Sequence, residues 1–236
     1  MSEVYQGNAI EGESYVGKST SAEAIREIGE LREKGIIVVP EYSVIGPLPN
    51  FPRQSIGDLK SAIQQIIDLE KMRTDHLVNE LERNKDGTII FDRGPVSCIA
   101  FEYAAERSGY AGATLWMAEA FQNEIENKNI IVPEGAIYLT ASRDIIEKRE
   151  RGSIESGKGK IIDFLKDPGV LFSLNEAFAA FENSVPEQFF LTLDTGDKSP
   201  DKIALDVLQF INNQPENIES KSDFLSYAQS LIKKHD

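Results

Sequence analysis

The segment from Gly12 to Thr20 reads GESYVGKST and matches the pattern G-x-x-x-x-G-K-[ST]. A short apolar stretch precedes it and a helical pattern follows it, as this pattern requires. Glycines let backbone N–H groups turn inward around phosphate oxygens, and the following helix offers its positive N-terminus. The segment is therefore predicted to bind the phosphates of ATP, through Gly12, Glu13, Ser14, Tyr15, Val16, Gly17, Lys18, Ser19 and Thr20.

Two side chains of this segment have a specific expected role. The amine of Lys18 is expected to reach the β- and γ-phosphates, which makes it a candidate catalytic residue. The hydroxyl of Ser19 is a candidate ligand of Mg²⁺, the cofactor that this pattern implies with ATP as co-substrate. The alternative is an ordinary glycine-rich turn that binds nothing.

Short β-branched or aromatic runs alternate along the chain with longer helical patterns. The runs predict strands at Gly7–Ile10, Ile36–Pro40, Thr88–Phe91, Ala136–Leu139 and Phe189–Leu193. Helices are predicted at Lys18–Lys34, Ile56–Asn84, Val96–Arg107, Ala113–Asn127, Arg143–Arg151, Phe172–Asn183 and Ile203–Ile211. Such alternation is typical of βαβ units, so the predicted fold is α/β, a three-layer doubly wound parallel sheet. Together with the pattern from Gly12 to Thr20, the expected fold is of the P-loop NTP hydrolase type.

The length of 236 residues favours one elaborated domain over two. We predict that this domain covers residues 1–213 and carries a small lid segment at about residues 143–165. Within the lid, the small polar stretch Ser153–Lys160 is predicted to be a flap. Residues 214–236 are predicted to form a helical extension, because Phe224, Leu225, Ala228 and Leu231 follow one amphipathic pattern.

The chain has 39 acidic and 25 basic residues, which gives a net charge of −14. Polymeric nucleic acid and anionic membranes both need a basic surface, so neither is an expected partner. The apolar runs are too short to span a bilayer. A single cysteine, Cys98, and an N-terminus without a signal-peptide pattern favour a cytoplasmic location. The expected partners are ATP and a small acceptor.

Charged side chains follow two of the predicted strands. Glu41 ends the second strand, at the edge where parallel α/β sheets bind ligands, and could accept a proton from a hydroxyl or help to order Mg²⁺. Asp92 and Arg93 end the third strand. Asp92 is a candidate Mg²⁺ ligand, and Arg93 is a candidate to bind phosphate or to fix Glu41. The alternatives are a solvated loop carboxylate and a structural ion pair.

The order of these motifs, Glu11-Gly12 to Thr20, then Pro40-Glu41, then Phe91-Asp92-Arg93, resembles the thymidylate kinase and deoxynucleoside kinase superfamily. The resemblance implies that Arg73 contacts the phosphate of an acceptor nucleotide. It also implies that Arg149 and Arg151 are catalytic lid arginines, although both could merely complement the end of a helix. Members of this superfamily pair long helices, so a homodimer is implied as well.

The acceptor pocket is less determined by the sequence. The resemblance assigns Phe101 and Glu102 to this pocket. Phe51 and Phe101 are candidates to stack on a base, with core packing as the alternative for Phe101 and an exposed loop anchor as the alternative for Phe51. The bulk of Tyr15 and Val16 in the loop is closer to nucleoside kinases, whereas Arg73 is closer to nucleotide kinases. Glu41, Phe51, Arg73, Arg93, Phe101 and Glu102 are therefore the expected acceptor-binding residues, and the base and sugar stay open.

These features together predict an enzyme, an ATP-dependent phosphotransferase. It would move the γ-phosphoryl group to a nucleoside monophosphate or to a (deoxy)nucleoside, with Lys18, Glu41, Arg93, Arg149 and Arg151 as catalytic residues. Two alternatives remain. One is a P-loop kinase of another small metabolite, and the other is a non-catalytic regulatory module that binds ATP.

Overall fold

The structure, a computed structural model, describes residues 7–30, 35–51, 53, 55–157, 163–215 and 223–233. A five-stranded sheet in the order β2-β3-β1-β4-β5 forms its centre, and every neighbouring pair is parallel. The strands are β1 (Gly7–Gly12), β2 (Ile36–Val39), β3 (Thr88–Asp92), β4 (Gly135–Thr140) and β5 (Phe190–Asp194). All five coincide with predicted strands, because each combines an apolar run with burial between helices.

Nine α-helices lie within the described part of the chain. They are α1 (Lys18–Glu30), α2 (Tyr42–Ile45), α3 (Ile56–Arg83), α4 (Pro95–Arg107), α5 (Thr114–Glu126), α6 (Arg143–Glu155), α7 (Pro168–Glu182), α8 (Pro200–Asn212) and α9 (Phe224–Lys233). Helix α7 begins at Pro168, earlier than predicted, because the side chain of Asp167 caps it by accepting from Gly169 N. None of these helices combines the length and the apolar character that crossing a membrane requires.

Helices cover both faces of the sheet. On one face Ile25 of α1, Ile146 of α6 and Val207 of α8 pack against the strands in one apolar cluster. On the other face a larger cluster joins α3, α4, α5, α7 and α9. This arrangement confirms a three-layer parallel α/β fold. Helix α9, from the predicted C-terminal extension, packs in the helical layer that contains the larger cluster, since Phe224 and Tyr227 are buried there.

The register of the central strands brings the functional motifs together. Ile10 of β1 lies opposite Asp92 of β3, and Gly12 lies opposite Leu139 of β4. The carboxyl ends of β1, β3 and β4 therefore meet at one edge, where ligands of parallel α/β sheets bind. Helix α6 of the expected lid runs through Ser153 to Glu155, and the part of the flap at residues 158–160 lies outside the described residues.

Candidate active site

A cavity of about 930 Å³ opens at this edge of the sheet. One set of lining residues, the loop group, consists of Ser14–Ser21 and Arg149. A second set, the aromatic group, consists of Phe51, Arg53, Phe101, Glu102 and Met117. Arg93 connects the two, because its Nη1 donates to Gly12 O at 3.3 Å and its guanidinium lies 5.6 Å from the centroid of the Phe101 ring. The same cavity thus contains both predicted binding regions.

The backbone of the loop from Gly12 to Lys18 depends on two glycines. Gly12 and Gly17 have φ angles of +131° and +103°, which side chains rarely adopt. A Cβ atom on Gly12 would also collide with the carbonyl oxygen of Leu139 on the neighbouring strand. Tyr15 adopts a left-handed φ of +62° without being glycine, at a cost of roughly 1 kcal/mol. The loop is therefore held by its surroundings in a conformation that its own sequence does not favour at every position.

Lys18 lies inside this loop at the start of α1. Its Nζ donates to Glu13 O at 2.6 Å, and the residue is only 7% exposed. Burial and the charge of Arg93 lower the pKa of Lys18 to about 7, against the opposing attraction of Asp92 and Glu41. A polyphosphate next to the amine would favour its charged form.

The hydroxyl of Ser19 donates to Oδ2 of Asp92 at 3.1 Å. The other oxygen, Oδ1, is buried and has no hydrogen-bond partner within the described residues. Burial and the nearby charge of Glu41 raise the pKa of Asp92. An unpaired carboxylate oxygen beside a hydroxyl suits a hard cation such as Mg²⁺, which takes few protein ligands and completes its shell with phosphate oxygens and water. The residues present therefore fit Mg²⁺, and the described residues hold no cluster of three or more His, Cys, Asp or Glu for an all-protein metal site.

Glu41 and Arg93 form an ion pair across the ends of β2 and β3. Nε of Arg93 donates to Oε1 of Glu41 at 2.8 Å, and Nη1 donates to Ser97 Oγ at 3.2 Å. The Glu41 side chain is 30% exposed and lines the cavity, so its second oxygen can meet a ligand. The carboxylate of Glu41 is thus accessible from the cavity, whereas the guanidinium of Arg93 is held by further hydrogen bonds.

A buried acid supports this pair from behind. Glu11, at the end of β1, is fully buried and accepts hydrogen bonds from Gly94 N at 2.9 Å and from the Ser97 hydroxyl. Burial raises the pKa of Glu11 to about 7, although Ser97 and the charge of Arg93 oppose the shift. The sequence assigns Glu11 no role of its own, since only its place before Gly12 marks it.

The aromatic group contains a second ion pair. Glu102 is 1% exposed and is paired with Arg53, whose guanidinium also lies 5.2 Å from the centroid of the Phe51 ring. Phe51 meets Phe101 edge to face, with centroids 6.1 Å apart. Burial raises the pKa of Glu102, and the charge of Arg53 counteracts this shift. Phe51, Phe101 and Glu102 therefore line the cavity, and their binding of an acceptor stays a prediction.

Sequence reasoning missed Arg53. It is the one basic residue between Glu41 and Ser55, in a stretch rich in proline, and this isolation is the only signal that marks it. Nε of Arg53 is buried without a hydrogen-bond partner among the described residues. A buried donor of this kind is costly when left unpaired. A ligand in the cavity that offers an acceptor atom would satisfy it.

Arg73 occupies a different place from the predicted one. Its side chain is fully buried, and Arg73 does not belong to the cavity lining. It is ion-paired with Glu70 at 2.7 Å and donates to backbone carbonyls at the ends of β2 and β3. The expectation that Arg73 contacts an acceptor phosphate is therefore not supported. The cause is the burial of the inner face of α3 against the sheet.

The two expected lid arginines also differ from one another. The Arg149 guanidinium donates to Val16 O at 2.9 Å, to Tyr15 O at 3.3 Å and to both Oγ1 and the carbonyl oxygen of Thr195 at 3.0 and 2.9 Å. Arg149 thus holds the loop through direct hydrogen bonds to its backbone. Arg151 is exposed and does not belong to the cavity lining, so the catalytic position predicted for it is not supported.

The sequence matches no protein-family model and no curated protein.

Proposed function

We propose that this protein is an ATP-dependent phosphotransferase that moves the γ-phosphoryl group of ATP to a hydroxyl group of a nucleoside. One observation carries the proposal: the Glu41–Arg93 pair borders the same cavity as Lys18 and Ser19, and the Ser19 hydroxyl donates to Asp92 behind it. The loop that suits phosphates, a carboxylate that can accept a proton and the part of the cavity lined by the aromatic group are then contiguous. A binding module for ATP alone has no use for the second half of that cavity.

A hydroxyl acceptor is favoured over a phosphate acceptor by the charges around Glu41. Among the described lining residues on the side of the aromatic group, Arg53 and Arg93 are the cations, and each is already paired with a carboxylate. A phosphate monoester carries close to two negative charges near pH 7 and would approach Glu41 without an unpaired cation beside it. A hydroxyl requires a base, and a carboxylate at this position can act as one.

In the proposed reaction the chain mainly aligns the reactants and stabilises charge. Lys18 and the N–H groups of the loop hold the phosphates of ATP. Mg²⁺, when bound by Ser19 and Asp92, would neutralise phosphate charge. Glu41 accepts the proton of the acceptor hydroxyl while the hydroxyl oxygen forms a bond to the γ-phosphorus. The bond between the γ-phosphorus and the bridging oxygen of ADP breaks. Arg93 fixes Glu41, and Arg149 keeps the loop in place.

The acceptor is proposed to lie against the aromatic group. Phe51 and Phe101 offer ring surfaces, and the Arg53–Glu102 pair offers donors and acceptors next to them. A planar heterocycle with both kinds of polar atom matches these groups, and a nucleoside combines such a ring with a hydroxyl. A fully apolar acceptor would leave Arg53 Nε unsatisfied.

The proposal is tested by measuring ADP release from Mg·ATP in the presence of separate nucleosides, nucleoside monophosphates or no acceptor. We expect release with at least one nucleoside, and none with a Lys18→Met variant. Thermal shifts with the same compounds show binding independently of turnover, because a ligand stabilises the folded state by mass action. Turnover only with monophosphates contradicts the hydroxyl acceptor. Binding of ATP without any turnover favours a regulatory module, and turnover only with unrelated hydroxyl compounds favours another metabolite kinase.

A further inference from the structure

Arg73 bonds to the backbone beside both members of the Glu41–Arg93 pair. Its Nε donates to Pro40 O at 2.9 Å, one residue before Glu41. Its Nη2 donates to Arg93 O at 2.6 Å and to Asp92 O at 3.3 Å. Nη1 is occupied by Glu70 at 2.7 Å. One rigid guanidinium on α3 therefore spans the ends of β2 and β3.

The bond to the Arg93 carbonyl fixes an unfavourable turn. Arg93 has a left-handed φ of +66°, which costs a residue with a side chain roughly 1 kcal/mol. Its N–H donates to Ile10 O at 3.1 Å and its carbonyl accepts from Arg73, so both sides of the turn are tied. Conformations of this kind persist only when the surroundings determine them. The turn in its place directs the Arg93 side chain toward Glu41.

The Arg73 guanidinium itself is held firmly. It lies 4.2 Å from the ring centroid of Tyr42 and 5.7 Å from that of Phe91, and its side chain is fully buried. Buried ion pairs contribute little net stability compared with apolar residues of similar volume. The Glu70–Arg73 pair is therefore a poor device for stability alone. The planar fork of arginine suits the bridging of several carbonyl groups, which lysine cannot reproduce.

We propose that Arg73 is a positioning residue that sets the distance and orientation of Glu41 relative to Arg93. This inference rests on the proposed function for its kinetic consequence, since the pair acts on the acceptor there. The geometric part, that Arg73 maintains the Arg93–Glu41 hydrogen bond, stands apart from any reaction. A test can therefore separate the two.

The test replaces both buried charges at once, as Glu70→Met with Arg73→Met, so that neither is left unpaired. The matched control is Glu80→Met with Arg83→Met, which removes an exposed pair of the same spacing and length, 2.7 Å, from the same helix. The first readout is the ¹⁵N–¹H signal of Arg93 Nε, identified by its loss in Arg93→Lys. We expect slow solvent exchange of this signal in the wild type and the control, and at least tenfold faster exchange in the buried-pair variant.

The second readout is steady-state kinetics with Mg·ATP and an acceptor. We expect at least a tenfold loss of kcat in the buried-pair variant with an unchanged KM for ATP. If the buried-pair variant does not fold, Arg73→Lys replaces it, because an ammonium can face Glu70 but cannot span the carbonyls of both strand ends. An unchanged Arg93 signal in the folded variant overturns the inference. Faster exchange without turnover in any form of the protein supports the positioning role and contradicts the proposed function instead.

Discussion

The Ser19 hydroxyl donates to Oδ2 of Asp92 at 3.1 Å, and this bond joins residues that are 73 positions apart. It connects the first turn of α1 with the carboxyl end of β3, across the register in which Ile10 lies beside Asp92. The second oxygen of Asp92 is buried and has no hydrogen-bond partner among the described residues. The two residues that the sequence proposes as Mg²⁺ ligands are thus adjacent in space.

We expect Asp92→Asn to weaken the binding of Mg²⁺. An amide presents one oxygen and no charge, so the apparent affinity for Mg²⁺ in the ATP complex should fall by about 10- to 100-fold. Binding of ATP without metal should be little changed or stronger, because a carboxylate is removed. Titration calorimetry with and without Mg²⁺ measures both values, and an identical Mg²⁺ dependence in the variant would argue against the assignment.

Glu41→Gln tests the base directly. Glutamine retains an oxygen that can accept from Arg93 Nε, but it cannot take a proton from a hydroxyl. We expect kcat to fall by roughly 10²- to 10⁴-fold, the range typical of a general base. The affinity for ATP, measured by fluorescence titration, should stay within about threefold. A kcat that stays near the wild-type value would show that the acceptor needs no base.

The arginines of α6 should separate in their effects. Arg149→Ala removes four hydrogen bonds to the loop and Thr195, so we expect kcat/KM for ATP to fall at least tenfold. Arg151→Ala, two positions along the same helix, should leave kinetics within about twofold. Equal losses in both variants would contradict the placement of Arg151 outside the cavity.

Glu11→Gln should change how stability depends on pH. The pKa of Glu11 is raised from 4.5 to about 7, so between these values the folded state holds a proton that the unfolded chain releases. This contribution to stability is complete below pH 4.5 and is lost as the pH rises through about 7. The variant lacks this loss, and its free energy of unfolding relative to the wild type should increase by about 3 kcal/mol across the window.

Urea denaturation at pH 4.5, 5.5, 6.5 and 7.5 measures this difference. Glu82→Gln, on the exposed side of α3, controls for the substitution itself. A wild-type minus Glu11→Gln difference that stays constant over the four values would contradict the account of Glu11.

The strands and the edge of the sheet that holds the cavity could be predicted because buried parallel strands appear as short apolar runs. The neighbours Glu41 and Arg93 follow from the ends of two such runs. Arg73 was misplaced although a signal existed: it lies at four-residue spacing between the buried Leu69 and Leu77 of α3, on the face that turns inward.

The arginines of α6 and Arg53 differ in what the sequence indicates about them. Arg149 and Arg151 are about 200° apart around a helix, so helical geometry alone indicates that one cavity cannot receive both. Arg53 lies within the proline-rich stretch and belongs to no periodic pattern, and its pairing with Glu102 depends on how the loop after β2 folds over α4. Contacts between distant segments of this kind follow from packing, which a single sequence does not display.

The central claim, transfer of phosphate to a nucleoside hydroxyl, is tested most directly by ³¹P NMR of the products. The chain is incubated for a fixed time with Mg·ATP and a mixture of nucleosides. We predict equal amounts of ADP and of a new phosphomonoester. With Glu41→Gln we expect neither product signal over the same time. ADP accompanied only by inorganic phosphate, or ATP that stays intact, would contradict the claim.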